Sequence, residues 1–204
     1  MIRRLSGALL LIASLGVAQT KLPDGVLRYD KAGTTPSLWQ YIKDQWGWVV
    51  KSRPFGKSVA FLVGVGDYES ITPKLRYVGT DLKEMREFLL NEVKFDTVYV
   101  AQDGVASAGL VEKYMMVEFP KQLNAEDRLL FYFSGHGTDF AGRGYMQFIK
   151  AKAGEFDNGQ HVDVTRCEQW SKQLSARHVL FLIDACNSGL GYDPKDGGGP
   201  PNCR

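Results

Sequence analysis

The sequence predicts an α/β fold in which a mostly parallel sheet is covered by helices on both faces. Short apolar runs alternate along the chain with amphipathic stretches, as in folds that wind helices back across a parallel sheet. The runs over 58–65 and 129–133 are apolar at consecutive positions, which is typical of strands buried on both faces. The length of 204 residues and the apolar content of 44% are enough for a complete core.

The elements follow from hydrophobic period and from the residues that flank each run. The predicted strands are 58–65, 97–101, 129–133, 145–149 and 179–183. The predicted helices are 81–91, 107–119 and 165–175. Asp81 with Glu84, and Thr165 with Glu168, have the spacing of capping boxes, so these pairs predict the starts of the first and last helices.

The first eighteen residues have the organisation of a secretory signal peptide. Arg3 and Arg4 precede an apolar stretch over 8–15, and residues 16–18 supply the small side chains of a cleavage site. Because the stretch is too short to cross a bilayer comfortably, removal is favoured over a retained anchor. We therefore expect loss of residues 1–18 and export to the periplasm or the extracellular medium, without a stable membrane span.

A tryptophan-rich segment lies between this leader and the first strand of the main domain. Over 37–50 a helix would place Leu38, Ile42, Trp46 and Val49 on one stripe. The stripe either packs on the sheet and its outer helices, which we favour, or belongs to a pro-segment or partner-docking helix. The predicted units are therefore a leader over 1–18, an arm over 19–56, a main domain over 57–193 and a flexible Gly- and Pro-rich tail over 194–204.

Charge and residue spacing argue against two classes of partner. Arg3 and Arg4 are the only charged residues of the leader, so its removal lowers the formal net charge from +2 to zero. A neutral protein has no general attraction for phosphate backbones, and nucleic acid is not an expected partner. His136, His161 and His178 share no short interval with another ligand type, so spacing predicts no metal site and no required cofactor.

Three cysteines in an exported protein leave at least one thiol unpaired or paired outside the chain. Cys186 follows the predicted strand over 179–183, and a reactive cysteine at that place needs a thiol that is not in a disulfide. Cys167 shares a face with Trp170 and Leu174 in the last predicted helix, which predicts a buried core thiol rather than a ligand or half of a disulfide. Cys203 lies one residue from the end, and the sequence leaves open whether it pairs with Cys167.

Two of the predicted strands lead into reactive side chains. Residues 129–133 precede Ser-Gly-His-Gly, which contains His136, and residues 179–183 precede Asp-Ala-Cys-Asn-Ser-Gly, which contains Cys186. Because parallel strands end at the same edge of a sheet, we expect the imidazole and the thiol to lie close together. A thiol beside a base is a nucleophile for carbonyl carbon. The pattern therefore predicts a cysteine hydrolase in which Cys186 attacks and His136 transfers the proton.

The same residues resemble the two catalytic signatures of the caspase-like peptidases. Segments 134–137 and 184–189 carry the match, and the separation of 50 positions from the histidine to the cysteine agrees with the caspase spacing. Asp184 stands where caspases carry glutamine, and an acidic residue there is the metacaspase pattern. The resemblance is therefore closest to metacaspases and their bacterial relatives. It covers residues 57–193 and implies a caspase-like three-layer sandwich.

The resemblance also implies an oxyanion hole and a substrate pocket. The family would hold the oxyanion with the backbone N–H groups of Gly137 and Cys186, and glycine at 137 lets the main chain approach the substrate. Asp184 suits a cationic side chain next to the scissile bond, since a desolvated guanidinium needs a paired charge. Asp81 resembles a second pocket residue, with helix capping as the alternative. We therefore expect cleavage after Arg or Lys.

The C-terminal segment carries three further expectations. Asp193 resembles a calcium ligand of metacaspases, but calcium takes about six to eight oxygens, so a solvated loop acid is the simpler account. Only 18 residues follow Cys186, and they contain no further strand pattern. The family supplies those strands from a small subunit, which we expect as a partner. Arg204 ends an accessible segment, so it is either a self-processing site or an end that falls on arginine by chance.

Two functions of different classes fit these observations. The first is a secreted cysteine endopeptidase with a Cys-His dyad, activated by cleavage of its own chain. The second is an inactive caspase-like module that binds basic peptides as a regulatory protein. The presence of both Cys186 and His136 favours the enzyme, because a binding module has no chemical need of either. An acyl transferase or amidase that uses the same pair is a third, weaker alternative.

Overall fold

The computed structural model describes residues 17–31 and 55–185. Three parts of the chain lie outside the described residues: the leader up to residue 16, the predicted Trp-rich helix over 37–50 and the chain from Cys186 onward. Within these ranges, no helix is long and apolar enough to cross a membrane.

Strands and helices alternate along the described chain. The strands are β1 (Ala18–Lys21), β2 (Leu27–Asp30), β3 (Ser58–Gly64), β4 (Thr97–Gln102), β5 (Arg128–Ser134), β6 (Gly137–Phe140), β7 (Arg143–Gln147), β8 (His161–Asp163) and β9 (His178–Asp184). The α-helices are α1 (Val78–Asn91), α2 (Ala108–Lys113), α3 (Phe119–Gln122) and α4 (Arg166–Gln173). A π-helical turn over Tyr114–Glu118 joins α2 to α3, so these segments follow one another without a loop.

Six of the strands form one sheet in the order β1-β2-β4-β3-β5-β9. The four strands β4, β3, β5 and β9 are parallel, and β2 joins β4 in antiparallel fashion with β1 outside it. A separate three-stranded antiparallel sheet contains β6, β7 and β8. The prediction of a mostly parallel sheet is therefore confirmed, whereas β1, β2, β6 and β8 were not predicted.

The core lies on both faces of the sheet, as alternate side chains of each strand point to opposite sides. All seven residues of β3 are buried. Phe61 packs on one face with aromatic residues of the π-helical turn, α3 and β5, while Leu62 packs on the other face with α1. Trp170 of α4 joins the first of these clusters through its contact with Phe131. The result is the layered arrangement that the apolar runs predict.

Neither capping box forms, although Thr165 does stand at the start of the last helix as its pair predicts. Helix α1 begins at Val78, three residues before Asp81, and Tyr77 is its N-cap residue without a side-chain hydrogen bond. Its first turn packs closely on the end of β3, where a Cβ added to Gly64 would lie 2.6 Å from the side chains of Val78 and Leu82. Helix packing against the strand therefore overrides the local cap signal at this terminus.

The second capping box fails for a different reason. Thr165 is the N-cap residue of α4, but its side chain accepts no bond from the helix. The hydroxyl of Thr165 instead donates to the carboxylate of Asp163 at 2.7 Å, and the backbone N–H of Thr165 donates to the same oxygen at 2.8 Å. The turn before the helix thus uses the hydroxyl that a capping box would need.

Cys167 lies partly buried against the core on α4, next to the fully buried Trp170. Burial raises the pKa of the Cys167 thiol to about 12. Because the thiolate is the reactive form, this thiol is unreactive at neutral pH. The expectation that Cys167 is a core thiol agrees with this environment.

Candidate active site

The carboxyl ends of β3, β5 and β9 meet in one line at the edge of the sheet. Ser134 lies opposite Gly64 on one side and opposite Asp184 on the other. The N–H of Gly135 donates to the carbonyl oxygen of Asp184 at 3.2 Å, which ties the histidine segment to the end of β9. The two sequence motifs are therefore neighbours in space up to Ala185, the last described residue before Cys186.

His136 is held by the loop between β3 and α1. Its Nε2 atom lies 3.0 Å from the carbonyl oxygen of Pro73. Because a carbonyl only accepts hydrogen bonds, this contact assigns the proton to Nε2 and makes Nδ1 the nitrogen that can take up another proton. The backbone N–H of His136 donates to the hydroxyl of Tyr68 at 2.7 Å. The imidazole is partly exposed, so it is accessible from the adjoining pocket.

A pocket of about 390 Å³ opens between the histidine loop (residues 134–136), the start of α1 and the end of β9. It contains His136 together with both carboxylates expected to bind substrate, Asp81 and Asp184. The remaining lining residues are Leu75, Arg76, Tyr77, Val78, Ser134, Gly135 and Ala185. Asp81, displaced from the cap position, thus faces the same space as His136.

Tyr132 of β5 lies next to one of the two carboxylates and is close enough to the other to be influenced by its charge. Its hydroxyl lies 3.4 Å from the Oδ2 atom of Asp184. Burial raises the pKa of Tyr132, and the negative charges of Asp184 and Asp81 raise it further. Two carboxylates that act on one hydroxyl create a negative potential here, which favours a cationic group.

Sequence reasoning did not identify Pro73, Tyr68 or Tyr132 as part of this region. The signal for Tyr132 was present, because alternation along β5 and the parallel register with β9 place Tyr132, Ser134 and Asp184 on one face. No comparable signal existed for Pro73 and Tyr68. They reach His136 through a loop whose path is not encoded in a periodic pattern.

The other predicted site residues are only partly described. Gly137 is the first residue of β6 and lies opposite Met146 of β7. Cys186, Asp193 and Arg204 lie outside the described residues, so the predictions of a nucleophile, a calcium ligand and a processing site remain predictions. Across 17–31 and 55–185, no three His, Cys, Asp or Glu side chains are grouped in a way that could hold a metal ion.

His161 and His178 occupy structural positions. His161 is buried, and its Nε2 atom lies 3.1 Å from the side-chain nitrogen of Gln147. His178 is exposed at the start of β9, where its ring meets the edge of Phe55 at 5.1 Å between centroids. Neither histidine lines the pocket that contains His136.

Comparison with solved structures identifies a protein of similar fold. The chain is similar to a protein from Geobacter sulfurreducens of known crystal structure, with a TM-score of 0.51 and 17% sequence identity. The match covers 64% of this chain and 51% of the other, so this chain spans about half the length of that relative. Identity this low supports a likeness of fold alone. No curated protein matches the chain significantly.

Comparison with family models is more specific. The caspase domain model of peptidase family C14 matches residues 57–201. This range contains β3 to β9, both sequence motifs and the pocket that joins them. The chain therefore belongs to the caspase domain family of cysteine peptidases.

Proposed function

We propose that this protein is an exported cysteine endopeptidase that cleaves after Arg or Lys, with Cys186 as nucleophile and His136 as base. The observation that carries the proposal is the setting of His136. The Pro73 carbonyl accepts a hydrogen bond from Nε2–H, so Nδ1 is the available base at the edge where β9 leads towards Cys186. Membership of a cysteine peptidase family supports the same chemistry.

The reaction follows from these two groups. Nδ1 of His136 accepts the thiol proton, and the Cys186 thiolate attacks the carbonyl carbon of the scissile peptide. The resulting oxyanion would be held by the N–H groups of Gly137 and Cys186. The imidazolium then protonates the leaving amine, which departs as the C–N bond breaks. Water hydrolyses the thioester, with His136 again acting as the base.

Preference for a basic side chain rests on the charge of the pocket. Asp81 and Asp184 both line it, and Tyr132 feels the negative charge of each. An arginine side chain entering this space loses water, so it requires a carboxylate partner to offset desolvation. Arg76 also lines the pocket, and we assign its exposed side chain to the rim.

A small subunit that completes the sheet is part of the proposal. Within the described ranges β9 pairs with β5 and leaves its other edge unpaired. Leu180 and Leu182 of this strand are 52% and 36% exposed and line an apolar groove that runs towards α1. Apolar side chains beside an open strand edge favour a further strand and its covering element.

Three parts of the proposal rest on the sequence alone. Export is proposed because residues 1–18 have the pattern of a signal peptide, and removal of this leader gives a chain that begins at Gln19. Self-cleavage after Arg204 follows from the basic preference, because the enzyme would accept its own arginine where it follows a Gly- and Pro-rich sequence. Calcium dependence rests on Asp193.

The alternative is an inactive module that uses the same pocket to bind basic peptides. The acidic pocket serves both functions, so it does not distinguish them. A Cys-His acyl transferase or amidase is the third alternative. The hydrogen bond from His136 to Pro73 keeps the proton on Nε2 and leaves Nδ1 free to act as a base. This favours the hydrolase over the binding module, because binding a basic peptide does not require a base.

The test is a peptide-library cleavage assay on the purified chain, with and without calcium and with added C-terminal fragment. We expect Cys186→Ala and His136→Ala to abolish hydrolysis. Asp184→Asn should lower kcat/KM for substrates with Arg at the cut by about 100-fold or more relative to neutral ones. Glu84→Gln, an exposed neutralisation one turn beyond Asp81, is the matched control and should leave this ratio unchanged.

Two outcomes would contradict the proposal. Retained turnover in Cys186→Ala would remove the nucleophile assignment. Binding of basic peptides without cleavage under every condition would establish the regulatory module instead. An unchanged Arg-to-neutral ratio in Asp184→Asn would leave the peptidase standing and remove its basic preference.

A further inference from the structure

The hydroxyl of Tyr68 lies directly behind the histidine loop. The Tyr68 side chain is fully buried. Its oxygen accepts a hydrogen bond from the backbone N–H of His136 at 2.7 Å and donates to the carbonyl oxygen of Gln147 at 2.9 Å. Both contacts are thus made by one hydroxyl that has no exposure to solvent.

The two bonds belong to a closed set around His136. The backbone N–H of Gln147 donates to the carbonyl oxygen of His136 at 2.9 Å. The N–H of His136 is therefore held by Tyr68, and its carbonyl is held by β7. The rings of Tyr68 and His136 are also in contact, with centroids 4.9 Å apart at 48°. These contacts restrain both the main chain and the ring of the residue.

Close packing around the hydroxyl accounts for the first glycine of the Ser-Gly-His-Gly segment. A Cβ added to Gly135 would lie 2.7 Å from the Tyr68 hydroxyl and 2.8 Å from the Phe133 ring. Neither neighbour is free to move, because Tyr68 is bonded on both sides and Phe133 is buried in the core. Glycine is required here for close approach.

The hydroxyl keeps its proton over the working pH range. Burial is the largest cause of a raised pKa at Tyr68, and the nearby charge of Asp103 adds to it. A neutral hydroxyl both donates and accepts, which the two observed bonds require.

We propose that Tyr68 is a positioning residue for His136. By fixing the backbone and ring of His136, it directs Nε2 to the Pro73 carbonyl and presents Nδ1 to the reacting thiol. This inference rests on the proposed function, in which His136 is the base. A misplacement of about 1 Å at a catalytic group costs about 100-fold in rate, so a modest loss of restraint has a measurable effect.

The test compares Tyr68→Phe with Tyr99→Phe. Tyr99 is also buried, and its hydroxyl donates to the side chain of Gln122 at 3.0 Å, so each variant loses one buried hydroxyl. We expect Tyr68→Phe to lower kcat by about 10- to 100-fold with little change in KM, and Tyr99→Phe to leave both unchanged. Tyr68→Phe loses two hydrogen bonds and Tyr99→Phe loses one, so the loss in Tm should be somewhat larger for Tyr68→Phe.

A second readout does not depend on catalysis. In a chain labelled on its three histidines, nitrogen chemical shifts report which ring nitrogen of His136 carries the proton. Wild type and Tyr99→Phe should show the Nε2–H form, whereas Tyr68→Phe should populate both forms. If the wild type lacks peptidase activity, the proposed function fails and this measurement still decides the positioning role.

Gly135→Ala supplies an independent variant, because it displaces the hydroxyl without removing it. The same loss of kcat and the same mixture of tautomers are expected. Wild-type kcat together with an unchanged Nε2–H form in Tyr68→Phe would overturn the inference. A change in Tm alone would assign Tyr68 to the core and overturn it equally.

Discussion

The strands β3 and β9 have similar sequences and very different surroundings. Each is seven residues long and mostly apolar. Every residue of β3 is buried, whereas β9 alternates between exposed and partly buried positions. In β9, Val179, Phe181 and Ile183 pack against the core, while Leu180 and Leu182 face the opposite side and are exposed. The apolar run determines that each segment is a strand, and the position in the sheet determines how much of it is covered.

The difference identifies an edge of the described sheet that has no neighbouring strand among the described residues. Strand β3 lies between β4 and β5 and under α1. Strand β9 has similarly apolar side chains, but among the described strands it has a neighbour on one side only. Large apolar side chains at a strand edge are costly to leave in water, so this edge is where we place the proposed small subunit.

The largest expected effect comes from the same truncation in the two strands. Leu62→Ala in β3 removes a fully buried side chain and should lower the free energy of unfolding by about 2–5 kcal/mol. Leu180→Ala in β9 should lower it by less than about 1 kcal/mol, since half of the side chain already contacts water. Urea unfolding with an unchanged m-value measures both. Equal losses would show that β9 is covered in the isolated chain.

A smaller effect is expected at the carboxyl end of β3. Gly64→Ala would place a Cβ against Val78 and Leu82 of α1 and should cost about 1–3 kcal/mol through overpacking. Gly104→Ala is the matched control, because no atom lies within 4 Å of its added Cβ. Thermal unfolding of the two variants compares them directly. A neutral Gly64→Ala would mean that α1 shifts freely and that its contact with β3 does not determine where the helix begins.

The smallest expected effect on stability is that of a charge on the open face of β9. Leu180→Lys should change the free energy of unfolding by about 0.5 kcal/mol or less, because the lysine ammonium can remain in water. It should reduce binding of a hydrophobic dye and of an added C-terminal fragment, both of which use the apolar groove. Isothermal titration with that fragment measures the loss. Unchanged fragment binding would place the small subunit elsewhere.

The extent of prediction from sequence differs between the main sheet and its surroundings. The strands β3, β4, β5, β7 and β9 were predictable, because an apolar run between polar turns has a local signature. The edge strands β1 and β2 have little such signal, since Ala18–Lys21 is fully exposed and only Tyr29 of β2 is buried. The pairing of β2 with β4, which also gives β1 its place outside β2, depends on contacts that are distant in sequence.

The sequence by itself determined the strands β3, β4, β5 and β9, the two motifs and their placement at strand ends, because these depend on local periodicity and on residue type. Only the tertiary structure decided that Asp81 lies in the first turn of α1 and lines the pocket instead of capping the helix. It also decided that the Pro73 carbonyl and the Tyr68 hydroxyl hold His136. These contacts join loops to strand ends 63 and 68 residues away. Contacts between residues so far apart leave no periodic pattern in the sequence. They form because α1 packs on β3 and the loop between these two elements brings the groups together.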